Sequence, residues 1–130
     1  MSVHGKVWWN ELLTWDAEAA KSFYARLLGW TYKGLALPED AVYWIAYKND
    51  APVCGIYQLK SPAFDGTPNF WMTCIAVEDM KLAVQNAVAL GGTVVHGPFH
   101  SDYIGDIALV QDGGGALVAV VEPNADTVSV

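Results

Sequence analysis

Basic residues are scarce in this chain: seven Lys and Arg stand against 14 Asp and Glu in 130 residues, a formal net charge of −7. A surface of that sign repels polyanions, which disfavours nucleic acid and anionic membrane surfaces and leaves cationic or neutral ligands. Long apolar runs are lacking too. Hydrophobic residues make up 53% of the chain but come in short runs, well below the roughly 20 consecutive apolar residues of a membrane-spanning helix. The opening MSVHGKVWWN has no apolar segment ahead of a small-residue cleavage site, so no secretory signal is read and a cytoplasmic location is expected. Cysteine is limited to Cys54 in PVCGIY and Cys74 in MTCIAV. Both sit in apolar strand-like runs, where a reduced thiol acts as a small hydrophobe, with metal or nucleophile duty the less favoured alternative.

What the chain does contain is a pattern that occurs twice. FWMTCIAVEDMKLAVQNAVALGG (70–92) lies over WWNELLTWDAEAAKSFYARLLGW (8–30) without a gap. Each copy has an aromatic pair, an alternating strand, an acidic helix start, an amphipathic helix and a glycine stop. Asp16 is the expected N-cap of the first helix, with Ala20, Phe23, Tyr24, Leu27 and Leu28 at helical spacing and Gly29 as terminator. Glu78 or Asp79 caps the second, Ala83, Ala87 and Leu90 form its inward stripe, and Gly91-Gly92 ends it.

Strand patterns follow each helix: 30–35, 42–47 and 53–59 in the first half, 93–98, 104–110 and 116–121 in the second, separated by turn residues. The expected fold class is α+β, one domain of two tandem βαβββ modules. Module 1 runs from about 6 to 59, a linker with two prolines covers 60–68, module 2 runs from about 69 to 123, and a peripheral tail covers 124–130. One helix cannot cover both faces of a four-stranded sheet, so the other face must pack on a second module or enclose a ligand. Curled mixed sheets around a cavity are the expected result.

The first strand then acquires a direction. Residues 9, 11 and 13 share one face and 8, 10, 12 and 14 the other. Glu11 is followed by Leu12 and Leu13, and a carboxyl in apolar surroundings has a raised pKa unless it is paired. Two readings stay open: a ligand-contacting or acid/base glutamate, or a structural carboxylate bonded to a backbone donor or an indole N–H. Six tryptophans, at 8, 9, 15, 30, 44 and 71, concentrate in strands or at their ends. Trp9 and Trp44 are candidates for pocket lining by stacking; Trp8, Trp30 and Trp71 are expected to pack against helices or the partner module.

The paired modules, with WNELLTWDAEAAKSFYARLLGW opening the first and WMTCIAVEDMKLAVQNAVALGGTVVHGP and GDIALVQDGGGALVAVVEP forming the second, resemble the vicinal oxygen chelate superfamily over about residues 7–123. The resemblance is to its glyoxalase and bleomycin-resistance-like branch. One departure is Gly113, where relatives carry proline; three consecutive glycines suggest a looser last turn. Metal-using members hold their ion with His and Glu from the first and last strands of each module. The corresponding positions here are Trp9 (or Asn10), Met72 (or Trp71), the run 54–58 and the neighbourhood of Ala119, none a suitable ligand, with Glu122 at the strand end. No metal and no cofactor are therefore expected. His4, His96 and His100 do not converge by spacing.

Vacant ligand positions would leave a pocket of Trp9, Met72, Tyr57 and Ala119, with Glu11 beside Trp9 and with His100 and Tyr103 in a loop bordering it. By resemblance, the expected function is metal-free binding of a small organic ligand, hydrophobic and planar or cationic, anchored on Glu11. The alternative is a lyase or isomerase that uses Glu11 as acid or base, or a relocated metal. A homodimer is also implied.

Overall fold

The computed structural model describes residues 2–125. Its elements run β1 (Val7–Thr14), α1 (Ala17–Leu28), β2 (Thr31–Ala36), a 3-10 turn (Pro38–Asp40), β3 (Val42–Lys48), β4 (Ala51–Gln58), β5 (Phe70–Ala76), α2 (Met80–Ala89), β6 (Thr93–Ser101), β7 (Gly105–Gln111) and β8 (Leu117–Pro123). The order is β-α-β-β-β twice, an α+β chain as expected. It divides into two compact units, residues 9–71 and the residues up to Trp8 together with those from Met72 onward.

In the first unit the strands are ordered β2-β3-β4-β1, with β1 parallel to β4 and the other neighbours antiparallel. The β3–β4 hairpin turns at Asn49 and Asp50, with φ of 52° and 65°, the left-handed pair a tight two-residue turn needs. Helix α1 covers one sheet face: Leu12, Ala17 and Ile56 are buried together, with Ala20, Tyr24, Tyr32 and Trp44 packed around them. The linker is drawn into this unit by Trp15, whose indole donates to the Thr67 carbonyl at 2.7 Å while its backbone N–H donates to Asn69 at 2.8 Å.

The second unit repeats the arrangement as β5-β8-β7-β6, with β5 parallel to β8. Its helix-side core is Val77, Met80 and Ala108, with Ala83, Val84 and Val120 against them. The N-terminal segment joins this unit because Gly5 and Lys6 exchange backbone hydrogen bonds with Ala76, and His4 Nδ1 accepts from the Glu78 backbone N–H.

Both helices are capped twice. Asp16 accepts from the Ala19 N–H and Asp79 from the Leu82 N–H, each at 3.0 Å. A side chain from the end of the parallel strand takes another first-turn donor: Gln58 Oε1 accepts from Ala17 N–H at 2.9 Å, and Glu122 Oε1 from Met80 N–H at 2.7 Å. Glu122 is thus a helix cap. The cap of α2 is Asp79 rather than Glu78, so the ungapped overlay slips at this point. Trp15 alone separates β1 from its cap, whereas Val77 and Glu78 separate β5 from Asp79.

Two expectations about β6 and the last turn need correction. The strand runs on to Ser101, and His100 pairs with Asp106 in the β6–β7 ladder, so His100 is a strand residue; register shifts on either side of His96 absorb Gly97-Pro98. The 112–115 turn is tied down: the Asp112 carboxylate accepts from the backbone N–H of Gly114 at 2.9 Å and of Ala116 at 3.0 Å. Residues 126–130 of the expected tail lie outside the described residues.

Candidate functional site

Strand register in the first unit sorts side chains between two faces. Leu12, Ile56 and Trp44 are aligned across β1, β4 and β3 and lie in the core under α1. The alternate residues therefore line the opposite face: Glu11 beside Gly55 and Ile45, then Leu13 beside Tyr57 and Tyr43. Trp9 belongs to this set by the same alternation.

The polar groups on that face form a chain. Trp9 Nε1 donates to the Tyr43 hydroxyl at 2.8 Å, in a buried bond. The hydroxyl in turn hydrogen-bonds the Glu11 carboxyl. Gly55 makes room for this. A Cβ at that position would overlap the Tyr43 hydroxyl and come within 3.0 Å of Trp9 Nε1. Residue 55 stands opposite Glu11 in the ladder, so its missing side chain is the slot that brings the phenol to the carboxyl.

Glu11 is half-buried, so its residue surface retains contact with solvent. Even so, burial of the carboxyl raises its pKa from 4.5 to about 7, and the Tyr43 hydrogen bond, which favours the ionised form, offsets only part of that rise. Neighbours respond to its charge. Burial and then Glu11 push the Cys54 thiol up to about 12, which leaves it protonated and unreactive, and both also raise the pKa of Tyr57. Cys54 and Cys74 are both buried, and neither forms a disulfide among the described residues.

Trp9, Glu11 and Tyr57 are thus gathered on one face. Trp44 is not. It lies on the α1 face, where the Lys21 ammonium sits 3.1 Å from its ring centroid. The misplacement comes from β3 parity, which puts Tyr43 on the Glu11 face instead. Tyr43 is the residue that sequence reasoning missed, and its antiparallel pairing with Tyr57 is the signal that would have found it. Trp30 and Trp71 pack on α1 through Tyr24, which stacks on Trp30 at 5.3 Å and accepts from Trp71 Nε1 at 3.2 Å.

Met72, His100 and Tyr103 belong to the second unit. Met72 is buried there, and Tyr103 is exposed in the turn after β6. His100 is exposed, with Nδ1 2.9 Å from Asp106 and Nε2 3.5 Å from Asp102. The Asp106 hydrogen bond leads the upward shift of its pKa. Among the described residues no three or more His, Cys, Asp or Glu side chains are grouped to hold a metal ion. Of the positions that the resemblance assigns to ligands, Trp9, Met72 and Ala119 carry an indole, a thioether and a methyl group, and the run 54–58 reads Cys-Gly-Ile-Tyr-Gln.

A family model described as "Glyoxalase/Bleomycin resistance protein/Dioxygenase superfamily" matches residues 9–120. The chain belongs to the glyoxalase, bleomycin resistance protein and dioxygenase superfamily. Within it, the chain is 32% identical over 119 residues to a Mycobacterium tuberculosis protein named "Putative glyoxylase CFP32", a match covering 92% of this chain and 44% of that one. It is 35% identical over 122 residues to "Anthracycline biosynthesis protein DnrV" of Streptomyces peucetius, covering 92% and 42%. The chain therefore spans less than half the length of these curated relatives. Solved structures of similar fold include methylmalonyl-CoA epimerase from Mycobacterium tuberculosis, with a TM-score of 0.63 and 14% identity over 95% of this chain and 93% of that one. A hypothetical protein from Bacillus halodurans has a TM-score of 0.70 and 13% identity over 96% and 99%. At that identity the likeness is one of fold.

The raised Glu11 pKa has a consequence for stability. An unfolded chain releases this proton near pH 4.5, whereas the folded one holds it to about 7, so stability falls as pH rises across that interval. The loss above pH 7 is at most about 3 kcal/mol. Glu11→Gln should flatten urea-unfolding stability between pH 5 and 7.5 and be the more stable form at pH 8. An unchanged pH slope would contradict the assignment.

Proposed function

We propose that this superfamily member binds a small organic molecule on the Trp9–Glu11–Tyr43–Tyr57 face, without a metal, and holds one polar group of that molecule on Glu11. The observation behind the proposal is the Glu11 carboxyl itself, desolvated yet on a residue that still reaches solvent, amid aromatic side chains. Perturbed carboxyls of this kind concentrate at functional sites. A pKa of about 7 also refines the expected ligand. Below it Glu11 is a neutral acid that donates to a carbonyl; above it Glu11 is a carboxylate that anchors a cation. A relative named for anthracycline biosynthesis is in keeping with a small organic ligand. Two buried cysteines that form no disulfide among the described residues agree with a reducing cytoplasm, and among the described residues no helix is long and apolar enough to cross a membrane.

A second reading is favoured by the same group. A carboxylate poised near neutrality can take a proton from carbon next to a carbonyl, leaving an enolate and the carboxylic acid, the elementary step of isomerases and of some lyases.

The two readings separate experimentally. Tryptophan fluorescence is titrated with a neutral hydroxyanthraquinone and with a cationic acridine at pH 6 and pH 8. Quenching by the quinone should weaken severalfold from pH 6 to 8, quenching by the cation should strengthen, and Glu11→Gln should remove both trends. No quenching by either compound contradicts the binding site. Solvent deuterium appearing next to a ligand carbonyl, and lost in Glu11→Gln, identifies the proton-transfer reading. The homodimer implied by the resemblance belongs to this proposal as well: sedimentation at twice 14.1 kDa supports it and a monomer removes it.

A further inference from the structure

The hydrogen-bond chain on this face has a direction set by its first member. An indole N–H is a donor only, whereas a phenol both donates and accepts through one oxygen and carries one proton. Trp9 Nε1, at 2.8 Å, occupies a lone pair of the Tyr43 oxygen. The phenolic proton then points to Glu11, and an oxygen that accepts one hydrogen bond donates the next more strongly. The hydroxyl occupies the space that a side chain at Gly55 would fill. Tyr43 can hold one carboxyl oxygen with its single proton. Among the described residues no side-chain oxygen or nitrogen is buried without a partner, and Glu11 itself is only partly buried.

We propose that Trp9 and Tyr43 are positioning residues: Trp9 commits the Tyr43 proton to Glu11, so that the acidic proton of Glu11, when present, is directed to a hydrogen-bond acceptor on the bound molecule. Without Trp9, Tyr43 could rotate and accept from the protonated carboxyl, turning the acid's proton inward. The inference rests on the Glu11 face being the binding site, but the relay itself can be read in the protein without any ligand, so its failure is distinct from failure to bind.

The test is a nuclear magnetic resonance titration of protein labelled at Glu side-chain carbon and Trp indole nitrogen. In the unaltered chain, the Trp9 indole N–H resonance should move with the same midpoint as the Glu11 carboxyl. Tyr43→Phe, which keeps the ring, should raise the Glu11 midpoint by about one pH unit and flatten the Trp9 response, because a hydrogen bond to the charged form is lost. Trp9→Phe should also raise it, by a smaller amount, because the freed phenol can now accept from the neutral acid. A Trp9 signal that ignores the Glu11 titration in the unaltered protein overturns the relay, whether or not the variants fold. So does a Glu11 midpoint unmoved in a folded Trp9→Phe protein.

Discussion

The Tyr43 hydroxyl, seated over Gly55 between an indole donor and a carboxyl, is the contact on which the candidate site depends. Three strands meet there. β1 supplies Trp9 and Glu11, β3 supplies Tyr43, and β4 supplies the position without a side chain. Any shift of register by one residue would send Tyr43 to the helix-covered face and leave Glu11 desolvated without a partner. The parallel β1–β4 pairing and the β3–β4 hairpin turn at Asn49-Asp50 hold that register. Secondary structure and site chemistry are therefore the same constraint seen at two scales.

Energetically, the site resolves a competition. Burial favours the neutral acid, the phenol favours the carboxylate, and burial prevails by enough to place the group near neutrality. That outcome costs stability at higher pH, a cost that a purely structural residue such as glutamine would avoid. Sites that give up stability in this way are where function is expected. Elsewhere in the chain polar groups lower the energy of the fold. Asp16, Gln58, Asp79 and Glu122 all satisfy helix N-terminal donors.

Much of this was legible in the chain itself. The doubled βαβββ order, the cap at Asp16, and the face shared by Trp9 and Glu11 follow from local periodicity and side-chain chemistry, which need no tertiary information. The partner of Glu11 did not. Tyr43 and Trp44 are adjacent aromatics in one strand, and only the pairing of β3 with β4 decides which of them turns toward the carboxyl. The one-residue difference between the two strand-to-helix connections was hidden for a similar reason: Glu78 and Asp79 are both credible caps, and the choice depends on the N-terminal segment, through His4, engaging the Glu78 backbone. Of the partners considered for Glu11 neither a backbone donor nor an indole N–H is the one found: the Tyr43 phenol stands between the carboxyl and the Trp9 indole.

Membership of the superfamily accounts for the scaffold and leaves the chemistry to the residues on it. The central claim is that Glu11 is a carboxylic acid near neutral pH, held by Tyr43. Infrared difference spectroscopy reads this most directly, through a carboxylic C=O stretching band that is absent from Glu11→Gln. The account predicts that this band persists at pH 6 and disappears with a midpoint near 7. A band already lost with a midpoint near 4.5, the ordinary value for the side chain, would contradict it.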